Sequence, residues 1–288
     1  MDRKAIVTGS SGFVGSAIFL YLRRKGYDVL GVSRSASSTT THILDLSDRN
    51  GAHDFLAQVK PDHVIHCAAL PNVNYCETHE KESFALNVDL TRNLCDALDS
   101  SCTITFLSTD YVYDGRSGSY TEDSRVNPLN VYGKHKLLSE DIIKKHKRHL
   151  ILRTTGILGY HPGGKNFLMQ LLDAKTPIRI PYDQIGNPTP VSLLAETIYL
   201  CLLQSIFGTY ILTGNQPLSR LDLSYKIADI FGVDSSLFIP SSTSSAGQTA
   251  PRPLNCALFP MKIQHELGVC FLPFDHHLRI ERTKITQP

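Results

Sequence analysis

Tyr132 and Lys136 sit four residues apart in "NVYGKHKLLSE" (130–140). On a helix, positions i and i+4 share a face. Twenty-three positions before Tyr132, Thr109 ends the strand-like run "TITFLST". These three residue types suit hydride chemistry. A hydride delivered to a carbonyl leaves an alkoxide that must be protonated. A free tyrosine, with a pKa of about 10, is a poor acid or base at neutral pH. A neighbouring ammonium favours the phenolate and lowers that value. A threonine hydroxyl can hold the substrate oxygen where charge develops. Tyr-x-x-x-Lys alone is a common chance spacing, so the surrounding elements must give it meaning.

Those elements alternate. "KAIVTG" precedes a helical pattern from Phe13 to Lys25, and "DVLGVSR" follows. Then come a helix over Asp48–Val59, the strand "HVIHCAA", a helix over Glu80–Leu98 and the strand "TITFLST". A helix over Val131–Lys147 and the strand "HLILRTT" complete the series. Apolar strands alternating with helices predict an α/β fold: a Rossmann-type, doubly wound parallel sheet covered on both faces. Residues 1–155 form the expected dinucleotide-binding domain. Residues 156–288 form a smaller, discontinuous substrate lobe, with segments near 190–215 returning to the sheet.

"VTGSSGFVG" places Gly9, Gly12 and Gly15 between the first strand and the first helix, with Ser11, Phe13 and Val14 among them. Small residues there let the backbone approach a pyrophosphate at a helix N-terminus. Strand two ends in Ser33 and Arg34, where an acidic residue would meet an unphosphorylated ribose. A hydroxyl and a guanidinium suit a 2′-phosphate, so the expected cofactor is NADP (NADPH). Asp45 and Leu46 are placed to cover the adenine, although Asp45 equally suits a helix N-cap.

Composition narrows the function classes. A net charge of +2 gives no electrostatic case for nucleic acid or an anionic membrane. The basic run Lys144–Arg148 reads as a solvated helix end. Seven cysteines without a Cys-x-x-Cys spacing fit a reduced, cytoplasmic protein. No signal peptide or transmembrane run is predicted. The twelve histidines fall in no ligand spacing, so no metal is expected, and His276–His277 reads as a solvated pair.

"TGSSGFVG", "HCAAL", "LNVDLTRNL", "STDYVYDG" and "PLNVYGKHKLLSE" together resemble the extended short-chain dehydrogenase/reductase family. "LRTTGILG", "DQIGNPTP", "GTYILTGNQPLSRLDL" and "RPLNCAL" resemble its dTDP-4-dehydrorhamnose reductase branch. The resemblance implies NADPH-dependent reduction of a 4-keto deoxysugar carried on a nucleotide. It makes Tyr132 the proton donor, Lys136 its pKa modulator and Thr109 the partner of the substrate oxygen. Ala68, Ala69 and Leu70 would line the cofactor channel, with Asn87 as an accessory position. Asp110, Tyr111, Asn166, Phe167, Gln184, Thr189 and Arg252 would border the nucleotide-sugar pocket. A homodimer is one assembly open to such a chain.

Two departures fall in the substrate half. The branch usually carries an aromatic where this chain has Gly156-Ile157, and an Asp-Lys pair where it has Asn74-Tyr75. The chain is also similar to the regulatory β subunit of methionine adenosyltransferase, through "HCAA", "LNVD", "TGNQ" and the late "RP". That resemblance implies a non-catalytic NADP binder partnered with a methionine adenosyltransferase catalytic subunit. An epimerase or another ketoreductase of the extended family is a further alternative.

Overall fold

The buried runs of the strands place a seven-stranded parallel sheet at the centre of the fold. The computed structural model describes residues 3–162, 164–245 and 247–286. In chain order it begins β1 (Lys4–Thr8), α1 (Phe13–Arg24), β2 (Asp28–Ser33), β3 (His42–Ile43), α2 (Arg49–Val59) and β4 (His63–His66). Next come α3 (Val73–Thr78), α4 (Glu80–Phe84), α5 (Leu90–Ala97), β5 (Thr103–Thr109), α6 (Val131–Ile143) and β6 (His149–Thr154). Then follow α7 (Phe167–Leu172), β7 (Ile178–Pro181), β8 (Ile185–Gly186), α8 (Val191–Gln204) and β9 (Gly208–Ile211). The chain closes with β10 (Leu218–Ser219), α9 (Arg220–Phe231), β11 (Phe238–Ser241), β12 (Asn255–Cys256), α10 (Met261–Leu267) and α11 (Phe274–Thr286).

The strand order is β3-β2-β1-β4-β5-β6-β9, parallel throughout. This is the doubly wound Rossmann arrangement. Strand β9 joins the sheet beside β6 from far along the chain, pairing Leu150 with Gly208. One sheet face packs on α1, α8 and α10 through Ile18, Leu22, Leu194, Ile198 and Ile263. The other face packs on α2 and α5 through Leu56, Leu90 and Leu94, and on α6 through Ile143. A separate apolar cluster joins α7, α9, β7, β11 and α11 through Leu171, Ile180, Ile227 and Phe274.

Three local differences from the sequence reading have physical causes. The segment Glu80–Leu98 is not one α-helix: a π-helical turn over Ala85–Asp89 interrupts it. The Asn87 carbonyl there accepts hydroxyls from Thr91 at 2.7 Å and Ser139 at 2.8 Å. Asp48, not Asp45, caps α2, accepting the Asn50 amide. Asp45 instead closes a turn on Ser47. Finally, residues 274–286 form the helix α11, which the loose pattern of the tail conceals. His276 is exposed as expected, but His277 faces inward and is buried. In the basic run Lys144, Lys145 and Lys147 are exposed, while Arg148 lies over the Phe207 ring.

A buried ion pair ties α6 to the sheet. Glu140 and Arg153 meet at 2.7 Å with side chains 0% and 5% exposed. Arg153 Nε donates to the other carboxylate oxygen at 3.0 Å, and the Ser108 hydroxyl donates to that oxygen at 2.6 Å. Arg153 also donates to the Tyr113 hydroxyl and the Glu122 carbonyl. The pair therefore joins α6, β5, β6 and the 113–122 loop.

Removing one member of a buried pair strands a charge and costs about 3–5 kcal/mol. Arg153→Met is expected to lower the urea-unfolding free energy by about that amount. The double variant Arg153→Met, Glu140→Leu should recover part of the loss, and an additive second loss would contradict this account.

Candidate active site

Two clefts meet over the C-terminal ends of β1, β4, β5 and β6. The larger has a volume of 870 Å³ and the smaller 220 Å³. Thr109, Asp110, Tyr132, Thr155, Gly156 and Arg220 line both, so they form the junction.

The large cleft begins at the glycine loop. Gly9 has φ +66°, a left-handed conformation, and a Cβ there would lie 2.9 Å from the Ala68 backbone. A Cβ on Gly15 would lie 2.3 Å from the Gly9 carbonyl oxygen. These close approaches admit only glycine at both positions. Gly12, Ser11, Phe13 and Val14 line it with them. Ser33 and Arg34 border it from the end of β2, and the Ser33 and Ser11 hydroxyls are 2.5 Å apart. Asp45 and Leu46 stand next to them. The Ser47 amide and hydroxyl hold the Asp45 carboxyl below the usual carboxylate range, with Arg34 adding a smaller effect.

Ala68 and Ala69 line the cleft, whereas Leu70 and Asn87 do not. Asn87 is buried, and its side chain accepts from the Leu70 amide at 2.9 Å and donates to the Leu70 carbonyl at 3.3 Å. It braces the channel wall from behind. A second brace runs through His66. The Thr8 hydroxyl oxygen accepts the Cys67 and Ala68 amides, so its proton goes to His66 Nδ1 at 2.9 Å. His66 Nε2–H then donates to the Thr91 hydroxyl at 3.1 Å, and Thr91 donates to the Asn87 carbonyl. Burial pushes His66 down to about 3 and His63 down to about 4.

Helix α6 delivers Tyr132 and Lys136. Asn130 caps it, accepting the Gly133 amide at 2.8 Å and donating to the Pro251 carbonyl at 2.9 Å. Glu77 takes the Val131 amide at 2.9 Å. Tyr132 packs edge-on to Tyr111, with ring centroids 6.2 Å apart. Lys136 is buried and sets its ammonium 3.9 Å from the centroid of the Phe106 ring.

The charges differ from the simple sequence picture. Burial raises the Tyr132 phenol above its ordinary value, with smaller contributions from Asp110, Cys76 and Tyr111. Burial also lowers Lys136 to about 7, partly opposed by Glu140 one turn away. Desolvation thus dominates both groups, and Tyr132 holds its proton at neutral pH. Asp110 is pushed up to about 6 by burial, against the hydroxyls of Thr155 and Thr109. Those hydroxyls donate to its two oxygens at 2.8 and 3.0 Å.

The residues expected at the substrate divide. Tyr111, Phe167 and Gln184 line the small cleft beside Asp110. Asn166 lines the large one, where its side chain caps α7 and donates to the Gly159 carbonyl. Thr189 and Arg252 line neither. Thr189 is fully buried and donates to the Thr155 carbonyl at 2.8 Å. Arg252 donates to Asn74 at 2.7 Å and Gln248 at 3.1 Å, over the Tyr111 ring.

Sequence reasoning missed Arg220, His161 and Lys165. The loop holding His161 and Lys165 reads only as a Gly/Pro-rich stretch. Helix α11 pins it: the fully buried Glu281 accepts the Tyr160 amide at 2.7 Å. His161 then reaches the Ser16 hydroxyl on α1 at 3.3 Å. Among the described residues no group of three or more His, Cys, Asp or Glu could hold a metal ion. No described helix is long and apolar enough to cross a membrane.

The family model described as RmlD substrate binding domain matches residues 3–282, and the chain belongs to this family. The chain is 27% identical to the spore coat polysaccharide biosynthesis protein SpsK of Bacillus subtilis, over 92% of each protein. It is 30% identical to the methionine adenosyltransferase 2 subunit beta of Xenopus laevis, over 93% of this chain and 83% of that protein. The fold superimposes on a Bacillus anthracis dTDP-4-dehydrorhamnose reductase solved in complex with NADP. The TM-score is 0.90 at 25% identity, covering 99% of this chain and 100% of that one.

The buried histidines make stability depend on pH. Both stay neutral in the fold, while an unfolded histidine titrates near 6.5. Their contribution is complete above pH 6.5 and is lost as pH falls toward 4 and then 3. Within that window His66 should contribute a slope of about 1.4 kcal/mol per pH unit. Urea midpoints at pH 7 and 4.5 are expected to differ, and His66→Gln should shrink the difference. An unchanged difference in the variant would remove His66 from the account.

Proposed function

We propose that this protein uses NADPH to reduce a keto group on a nucleotide-linked deoxysugar. The observation that carries the reading is the convergence of Thr109, Tyr132 and Lys136 beside the seam of the two clefts. The residues of the large cleft fit the cofactor. The glycine loop turns tightly at Gly9 and Gly15 where no Cβ fits, beside the start of α1 where a pyrophosphate would bind, and Ser33 with Arg34 suits a 2′-phosphate. NADPH, when bound, supplies the hydride.

The chain's own groups handle the oxygen. Tyr132, kept protonated by burial, gives its proton to the alkoxide oxygen as charge develops. Thr109 donates to Asp110 in the free protein, and turning that donor to the substrate oxygen orients the carbonyl. Lys136 lies one helical turn behind Tyr132, and its ammonium form would favour the phenolate that the proton transfer leaves. Seven free cysteines, three of them intermediate or exposed, support a cytoplasmic setting.

The likeness to the Xenopus laevis β subunit favours a second reading, in which the chain binds NADPH and a methionine adenosyltransferase catalytic subunit without turnover.

Loss of nicotinamide absorbance with a dTDP-4-keto-6-deoxysugar tests the first reading. Tyr132→Phe should lower turnover at least about 100-fold and leave NADPH affinity within about twofold. Tight NADPH binding without turnover of any nucleotide keto sugar, together with co-elution with a methionine adenosyltransferase catalytic subunit, would favour the second. For the cofactor, Arg34→Asp should weaken NADPH by roughly 10- to 100-fold and spare NADH. Equal weakening of both would remove the preference for NADP.

A further inference from the structure

Arg220 is the charged residue of the junction to which no role has been assigned. It is the first residue of α9, following the cap Ser219. Its guanidinium lies 4.4 Å from the centroid of the Phe167 ring, which forms a flat apolar backing. Among the described residues its side chain makes no hydrogen bond or ion pair. Asp110 attracts it across the junction but makes no hydrogen bond or ion pair with it; its two oxygens accept the Thr109 and Thr155 hydroxyls instead.

The position is unfavourable for an unpaired cation on three counts. Burial lowers the Arg220 pKa from its ordinary value and the neighbouring Arg252 adds to this, while Tyr111 and Asp110 only partly oppose it. The N-terminus of a helix is its positive end, where a cation is disfavoured. Arginines in such places are ordinarily paired with a carboxylate or a phosphate. This one instead faces open space. Gly156, on the same junction, offers no side chain, and a Cβ there would find only Pro188 Cα within 4 Å, at 3.8 Å.

The small cleft sets the scale of the group that arrives. Its 220 Å³ is below the roughly 300–1,000 Å³ of sites that enclose whole drug-sized ligands. It admits a ring-sized portion of a substrate, with Thr109 and Tyr132 in its wall. A group meeting Arg220 inside it therefore lies within about one ring of the reacting carbonyl.

We propose that Arg220 is a specificity-determining residue that binds a carboxylate carried on the sugar ring of the substrate. The guanidinium offers two parallel N–H donors, which a carboxylate matches and a hydroxymethyl group does not. An acidic sugar then closes the ion pair that the free protein lacks. This inference rests on the nucleotide-sugar reading for its substrate class, and it places a carboxylate on the sugar where a 6-deoxysugar would carry a methyl group.

The test is calorimetric titration of the protein saturated with NADP⁺, using UDP-glucuronate, UDP-glucose and UDP as probes. The wild type should prefer UDP-glucuronate to UDP-glucose by roughly tenfold or more. Arg220→Met should abolish that preference and Arg220→Lys should retain part of it, with NADPH affinity unchanged as the measure of an intact fold. Equal weakening of all three probes by Arg220→Met would overturn the proposal and place the diphosphate on Arg220. An unaltered preference in Arg220→Met, or no binding of any probe to the wild type, would overturn it as well. Because the titration reads binding, a carboxylate preference found without reduction of any keto sugar would reject the reductase reading and leave the role of Arg220 standing.

Discussion

The Glu140–Arg153 pair is the constraint on which the rest of the site depends. Its geometry explains why α6 has one position on the sheet. Glu140 lies one turn beyond Lys136 on α6, and Arg153 lies on β6 next to the strand that ends in Thr109. Ser108, the residue before Thr109, donates to the same carboxylate. Helix, strand end and catalytic candidates are thus tied at a single buried point. An apolar contact would tolerate sliding along the helix, whereas a bidentate, three-donor carboxylate does not. The Asn130 cap fixes the other end of α6.

Around that tie the site carries charges in a dry setting. Lys136 lies against the Phe106 ring, Asp110 beneath two hydroxyls, and Arg220 against Phe167. Desolvation dominates each of these groups and pulls each toward its neutral form. Such a site is poised for a ligand that restores the missing interactions. The braces behind it are uncharged. The Thr8–His66–Thr91–Asn87 chain satisfies every donor it contains, so the cofactor wall is rigid without another buried charge.

Much of this was legible in the sequence where the signal is local. Apolar runs marked β1, β2, β4, β5 and β6, and the glycine spacing marked the turn after β1, whereas the two-residue, exposed β3 carries no such run. Tyr132 and Lys136 could be placed on one helix face because helix phase acts over a few residues. The π-helical turn at Ala85–Asp89 was not legible, since the hydroxyl from Ser139 that stabilises it comes from another helix. Helix α11 was hidden for a similar reason. Its buried face is set by Phe274, Leu278 and Glu281 meeting the small lobe and the 158–166 loop, not by a strong apolar stripe.

The sequence by itself marked the doubly wound architecture through local apolar patterns, pointed to the family through motifs that resemble it, and offered Thr109, Tyr132 and Lys136 as catalytic candidates. Tertiary structure alone decided which polar groups are dry and which face the clefts. It turned Thr189 onto a backbone carbonyl and Arg252 onto Asn74, and it brought Arg220 to the junction. It also set Lys136 near 7 and kept Tyr132 protonated. The physical reason is common to all of these. Burial and ionisation depend on neighbours distant in the chain, which no local pattern encodes.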